Sequence, residues 1–400
     1  MAADPKDHPS AQWIASMRER FPTEEYVDRA LTGRLQRRGR PSYRAQSVAA
    51  IAEQLQRFLA KRVTGPFHIH NLAQMTGGGS KEQFSFDLET DAGGPQSRTR
   101  RLVLRMQPPA SHVENHRLRE FQVLRALKGV VPVPEALWLD AEGTEFAQPA
   151  LICSFCPGVI RPPQEGKVMT PRMNFGPKYR ALLWRQFVKH LASLHTFDWS
   201  RADLSAFHPA QSGSNEAVTR HLNWWERVWE EDAFEPEPLV TLAAHWLRAN
   251  APPIDRVSLV HGDYRGSNFL FELDSGHITA VLDWELAWLG DRHADLAYVL
   301  DLLYAEIDEQ GRTLVCGLCT REEFFEEYEA QSGLKIDLER VKYYEVMLRW
   351  RSVIQSIAGA TRCVHLQQTH QDILFSWIIG GVAAPLMRDL QRALRDRLQL

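Results

Sequence analysis

Residues 259–300 read LVHGDYRGSNFLFELDSGHITAVLDWELAWLGDRHADLAYVL. Asp263 and Asn268 lie on one loop, between the apolar runs Ser258-Leu259-Val260 and Phe269-Leu270-Phe271. The turn Asp274-Ser275-Gly276 reverses the chain. A returning strand, 278–282, then carries Asp283-Trp284-Glu285 to the same end. Phosphoryl transfer from a metal-bound nucleotide needs such a set. Asp263 is the expected general base, accepting or orienting the proton of an attacking hydroxyl. Asn268 and Asp283 offer oxygen ligands to Mg²⁺, a hard cation. Glu285 is a further ligand or a supporting residue behind the ligands. His261 and Gly262 are expected to shape the loop, and Asp291 and Asp295 to cap and brace the next helix.

The rest of the chain sets the context. Its 400 residues are enough for two or three cores. A hydrophobic content of 44% and a charged content of 24% are ordinary for a globular protein, and a net charge of −3 gives no reason to expect a nucleic-acid partner. The N-terminal stretch MAADPKDHPS lacks the apolar centre of a signal peptide. The longest apolar run, 373–387, is too short to span a bilayer. It reads as a buried C-terminal helix that breaks near Pro385. A cytoplasmic protein without a membrane partner is the expectation.

The pattern divides into a helical extension (1–65), a sheet-rich lobe (66–157) and a larger helical lobe (158–400). In the extension, helical spacing of apolar residues runs over 43–61, and Arg34, Arg37, Arg38 and Arg40 read as a solvated turn. Strand patterns at 68–75, 82–89 and 101–106 form an antiparallel meander. A helix is expected over 114–127, and further helices over 179–195, 217–230 and 238–249. The fold class is therefore α+β.

Gly77, Gly78, Gly79 and Ser80 join the first two strands. They fit either a plain hairpin turn or a loop whose N–H groups and Ser80 hydroxyl approach phosphate. Arg105 sits among apolar neighbours on the third strand, with Glu120 on the following helix as a plausible partner. The pair fits donor-phosphate binding or two unrelated surface charges. Cys153/Cys156 and Cys316/Cys319 form two C-x-x-C pairs separated far beyond usual zinc spacing, so ordinary thiols are favoured over a metal.

H-G-D-x-x-x-x-N, then D-W-E, then G-D-x-x-x-D-L-A resembles the aminoglycoside phosphotransferase family of kinase-like enzymes. The resemblance spans about 50–360 and points to the branch whose domains stand alone in bacteria or are fused to acyl-CoA dehydrogenases. It includes Arg105-Met106-Gln107-Pro108-Pro109, the helix 119–127 and Val131-Pro132-Val133-Pro134. It implies a bilobal protein-kinase-like fold and ATP (or GTP) as donor with Mg²⁺. It also implies a catalytic base at Asp263, magnesium ligands at Asn268 and Asp283, and a helix glutamate at Glu120. The segment from Cys153 to Cys156, Ser154 included, would bind the base through backbone groups. Arg105 stands where the family has lysine, a planar fork in place of a compact ammonium. Trp224, Trp225 and Trp229 fall where the family builds its acceptor pocket, beside Glu226, Glu230, Glu231 and Asp232 but also Arg220 and Arg227. That mixture fits a partly apolar hydroxylated small molecule at least as well as a polycation; the tryptophans equally fit a core. The implied activity is transfer to a hydroxyl of a small molecule. The alternatives are an aminoglycoside or macrolide kinase, or a non-catalytic nucleotide-binding protein of kinase shape.

Overall fold

The computed structural model describes residues 4–75, 81–90, 98–111, 113–163, 172–370 and 372–398, without the side chains of 372–380. Two helices, α1 (Ala11–Arg20) and α2 (Glu25–Arg37), precede α3 (Val48–Ala60). The Ser47 side chain caps α3 by accepting from the Ala50 N–H. Its buried Ile51, Leu55, Phe58 and Leu59 recur at helical spacing and lie on one sheet face. That sheet is β1 (Phe67–Gln74), β2 (Glu82–Thr90), β3 (Arg98–Met106), β4 (Ala136–Asp140) and β5 (Ala150–Ser154), in the order β1-β2-β3-β5-β4 and antiparallel throughout.

Alternation along β3 divides its side chains. Leu102, Leu104 and Met106 join the α3 cluster, whereas Val103 joins Leu151 and Cys153 in a separate cluster on the opposite face. Arg105 shares that second face and meets Glu120 of α4 (Arg117–Ala126).

The larger lobe holds α5 (Gly176–Thr196), α6 (Glu216–Asp232) and α7 (Pro238–Ala249). Short strands follow: β6 (Ser258–Val260), β7 (Phe269–Phe271), β8 (Ile278–Val281) and β9 (Trp288–Gly290). β6 pairs with β9 and β7 with β8, so residues 261–268 and 282–287 are held together by two small ladders. Then come α8 (His293–Val299), the ladder of β10 (Glu306–Ile307) with β11 (Thr313–Leu314), α9 (Arg321–Ser332), α10 (Leu338–Val353), α11 (Ala360–Leu366) and α12 (Asp372–Leu398).

Two expectations are corrected here. The arginines of 34–40 are not all solvated: Arg34 and Arg38 are buried, with Arg34 reaching Glu231 at 2.7 Å and Asp232 at 2.6 Å. Arg38 pairs with Asp232 as well. Burial of these cations is tolerable because carboxylates of α6 meet them. The C-terminal helix does not break: Pro385 lies inside a continuous α12. Residues 381–387 are exposed or half-buried rather than buried, and Leu390 and Leu394 make the core contact. Pro385 is exposed, and so is Gly381, the residue whose carbonyl is left without its helical donor. Among the described residues, no helix is long and apolar enough to cross a membrane.

Candidate active site

Asp263 follows a glycine that cannot be replaced locally. Gly262 has φ 80°, and a Cβ there would stand 2.5 Å from the Leu286 carbonyl oxygen. The Asn268 amide nitrogen donates to the Asp263 carbonyl at 2.8 Å and to its Oδ2 at 2.7 Å. This commits the nitrogen to Asp263 and leaves the Asn268 oxygen for another partner. The loop is tied to the next strand as well: the Leu282 N–H donates to the Asn268 carbonyl at 2.8 Å. His261 Nε2 donates to the Leu282 carbonyl at 2.9 Å, while its Nδ1 accepts the Asp263 N–H at 3.2 Å. Burial pushes the His261 pKa down, consistent with a neutral ring in both roles.

Asp283 stands next to Leu282 in the left-handed region, with φ 66° and ψ 56°. That conformation is costly for most side chains and least so for Asn and Asp. Burial pushes its carboxyl up to about 7, reinforced by Glu285 and Asp263. A pocket of carboxylates with so little tolerance for another negative charge is suited to a cation. Among the described residues no three His, Cys, Asp or Glu side chains gather closely enough to hold a metal. Magnesium here would therefore draw on Asn268, Asp283 and oxygens of a bound phosphate, the usual sharing for this ion. Glu285 is paired with Lys81 at 2.9 Å, both buried.

Glu120 is wholly buried and receives Arg105 on one oxygen and Arg117, at 2.7 Å, on the other. Burial opposes the Arg105 charge, but Glu120 and then Asp283 hold its pKa above the usual range. Arg105 is thus electrostatically linked to Asp283 across the two lobes. The cluster Val103, Leu151 and Cys153, with half-buried Phe155, shares its sheet face. At the end of β5, the Ser154 N–H donates to the Glu135 carbonyl and the Phe155 N–H to the Arg101 carbonyl, both at 3.0 Å. Cys156 is the first residue there whose N–H has no partner among the described residues. Gly77, Gly78, Gly79 and Ser80 lie outside the described residues. The cysteine pairs belong to different places, Cys153 to this sheet face and Cys316 and Cys319 to the larger lobe's core.

Several residues of the site escaped sequence reasoning. Asp295 does more than brace its own helix: it accepts the N–H groups of His261 at 2.7 Å and Gly262 at 2.8 Å, and meets His195 Nε2 at 3.1 Å. The Tyr298 hydroxyl donates to Asp263, and Tyr304 meets Tyr298 at 2.8 Å. Arg265 lies 3.0 Å from Asp263 and 5.2 Å from the Tyr304 ring centre. Arg265 was visible two residues past Asp263; nothing in the sequence marked the tyrosines or Lys81. Trp224, Trp225 and Trp229 are core, with the first two stacked at 5.2 Å.

A five-stranded antiparallel lobe, a larger helical lobe, and an Asp–Asn–Asp set facing a strand Arg and helix Glu define a kinase-like phosphotransferase. Residues 82–344 match the model of the phosphotransferase enzyme family, and the chain belongs to that family. The solved structure of a putative aminoglycoside phosphotransferase from Ralstonia eutropha JMP134 superposes with a TM-score of 0.61 at 21% identity, covering 86% of this chain and 98% of that one. The GDP complex of aminoglycoside 2'-phosphotransferase-IIIa gives 0.53 at 16% identity, with 87% and 99% covered. At these identities the likeness is one of fold. A probable acyl-CoA dehydrogenase, IBR3, of Arabidopsis thaliana is 28% identical over 315 residues, 74% of this chain and 37% of that protein. Acyl-CoA dehydrogenase family member 10 of Mus musculus is 30% identical over 206 residues, 50% of this chain and 18% of that protein. The chain therefore spans less than two-fifths of the length of these curated relatives, whose names agree with the branch the motifs indicate.

Proposed function

We propose that the chain transfers the terminal phosphoryl group of ATP or GTP to a hydroxyl of a small molecule, with Asp263 as the base. The observation that carries this reading is Asp263 held by Asn268 and Tyr298, with Asp283 beside them and Arg105 opposite. The sheet face of Val103, Leu151 and Cys153 suits a nucleotide base, with Cys156 supplying the free N–H. Arg105 suits the donor phosphates. Gly77, Gly78, Gly79 and Ser80 are assigned to the same phosphates from the sequence alone. Magnesium, held by Asn268 and Asp283, would neutralise charge on the transferring group. Glu285 either joins it or keeps Lys81 in place.

Asp263 orients the acceptor hydroxyl and takes its proton; the Tyr298 hydroxyl and Arg265 steady the carboxylate meanwhile. The acceptor is a hydroxylated molecule with apolar character. Leu302, Leu303 and Ile307 are exposed on either side of Tyr304, which reaches Asp263 through Tyr298. The test is Asp263→Asn, assayed with an acceptor found by screening alcohols, hydroxy-acids, aminoglycosides and macrolides for ADP release. Nucleotide binding should persist while turnover falls about 10²–10⁴-fold. A variant with undiminished turnover overturns the assignment. Magnesium-dependent nucleotide binding by the parent chain without turnover of any acceptor or hydrolysis of the nucleotide favours the non-catalytic nucleotide-binding protein of kinase shape instead.

A further inference from the structure

A second cleft, of about 950 Å³, opens between α2, the segment 40–46 and the loops 107–109 and 141–149. Arg105, Asp263, Asn268 and Asp283 do not line it. Its lining carries more arginines than carboxylates: Glu25, Asp28 and Glu142 are there, but they are paired with Arg29, Arg18 and His116. Arg37, Arg40 and Arg44 line it, and none of the three has a carboxylate partner among the described residues. Burial pushes the Arg37 pKa down, with Glu114 the main charge opposing that fall. The N-terminus of α4 also faces the cleft through Asn115, His116 and Arg117.

Some of its lining residues carry buried polar groups without hydrogen bonds. Arg117 is 0% exposed; its Nη1 meets Glu120, but Nε and Nη2 have no hydrogen-bond partner. Asn115 and Gln107, each 4% exposed, leave Oδ1 and Oε1 unpaired. Buried groups of this kind are costly unless something satisfies them. Guanidinium forks at a helix N-terminus suit a phosphate dianion. Unpaired amide oxygens suit hydroxyl donors.

We propose that this cleft binds a small phosphate monoester carrying hydroxyl groups, at a site separate from the one that performs transfer. Its phosphate is held by Arg37, Arg40, Arg44 and the start of α4, and its hydroxyls donate to Asn115 and Gln107. The cleft is connected to the transfer site by one carboxylate, because Arg117 and Arg105 divide the oxygens of Glu120 between them.

The test is calorimetric titration of the full chain with ribose 5-phosphate and with inorganic phosphate. Arg40 and Arg44 are exposed, so the double variant Arg40→Glu/Arg44→Glu is expected to fold normally. It should weaken ribose 5-phosphate about tenfold or more, as expected when charge-assisted contacts are reversed. Asp283→Asn, inside the transfer site and with no contact to Glu120 or Arg117, should leave the affinity unchanged. Ribose 5-phosphate should bind more tightly than inorganic phosphate. The proposal is overturned if ribose 5-phosphate does not bind at millimolar concentration, or if binding survives the double charge reversal. It is equally overturned if Asp283→Asn abolishes binding. Equal affinity for the two probes removes the hydroxyl-bearing ligand.

Discussion

Asp295 acts through both carboxylate oxygens. One takes the His261 N–H and His195, the other the Gly262 N–H, so the backbone before Asp263 is fixed by a single side chain. In Asp295→Asn one acceptor becomes a donor, and one loop N–H loses its partner. A loss of about 1–3 kcal/mol in denaturant stability is expected, with turnover falling more than nucleotide affinity. Burial opposes the Asp295 charge, but His195 and His261 hold its pKa below the ordinary carboxylate range. A depressed carboxyl lends stability above its unfolded pKa and loses it as pH falls through the folded one. Parent stability should therefore drop on acidification below about pH 4, and the variant should show a shallower drop in the same titration. Glu285 gives a second test. Glu285→Gln leaves Lys81 buried without its charge partner, a loss of about 3–5 kcal/mol. If Glu285 serves mainly that pairing, Asp283→Asn weakens the magnesium dependence of nucleotide binding far more than Glu285→Gln does. The spacing of Asp263, Asn268 and Asp283 was legible because turns and strands around them are local. Asp295 reaching back to residues 261 and 262 was not, since its position in α8 is equally satisfied by bracing its own helix.

At the scale of elements, sequence order and periodicity carried the sheet, α3 and the helices of the larger lobe, whose apolar spacing is written in short windows. The arginines of 34–40 failed by the same logic. A run of like charges before a proline looks solvated, and the carboxylates that bury Arg34 and Arg38 lie far along the chain on α6. The consequence is that the N-terminal helices and α6 stabilise one another. Asp232→Ala leaves buried Arg38 without a carboxylate and Arg34 with Glu231 alone, and should cost about 3–5 kcal/mol. Replacing Arg34, Arg38 and Asp232 together with apolar residues should cost much less, because no charge is then left buried alone. Chemical denaturation of both variants decides this; equal losses would mean that packing, not charge, joins these elements. Pro385 erred for a different reason. A proline inside a helix removes one hydrogen bond, and an exposed position lets water replace it.

Across the whole molecule, the placement of α6 acids bears on which acceptor the proposed transfer would take. From the sequence, Glu226, Glu230, Glu231 and Asp232 were the residues able to hold a polycation. All four face arginines in the folded chain. Glu231 and Asp232 meet Arg34, with Arg227 also on Glu231 and Arg38 also on Asp232. Glu226 meets Arg248, and Glu230 is 3.8 Å from Arg20. Beside Asp263 itself stands a cation, Arg265, and aromatic rings. Under the proposed function a polycationic acceptor would approach that cation while the acids of α6 are already taken by arginines, and repulsion between unit charges a few ångströms apart in a partly buried site amounts to several kcal/mol. Neutral hydroxylated molecules do not meet that barrier. In an ADP-release assay they should therefore be phosphorylated in preference to kanamycin-like polyamines. Arg265→Gln should narrow the gap by improving the polyamines. If the parent enzyme instead favours polyamines, the acceptor is held by residues outside this arrangement of charges.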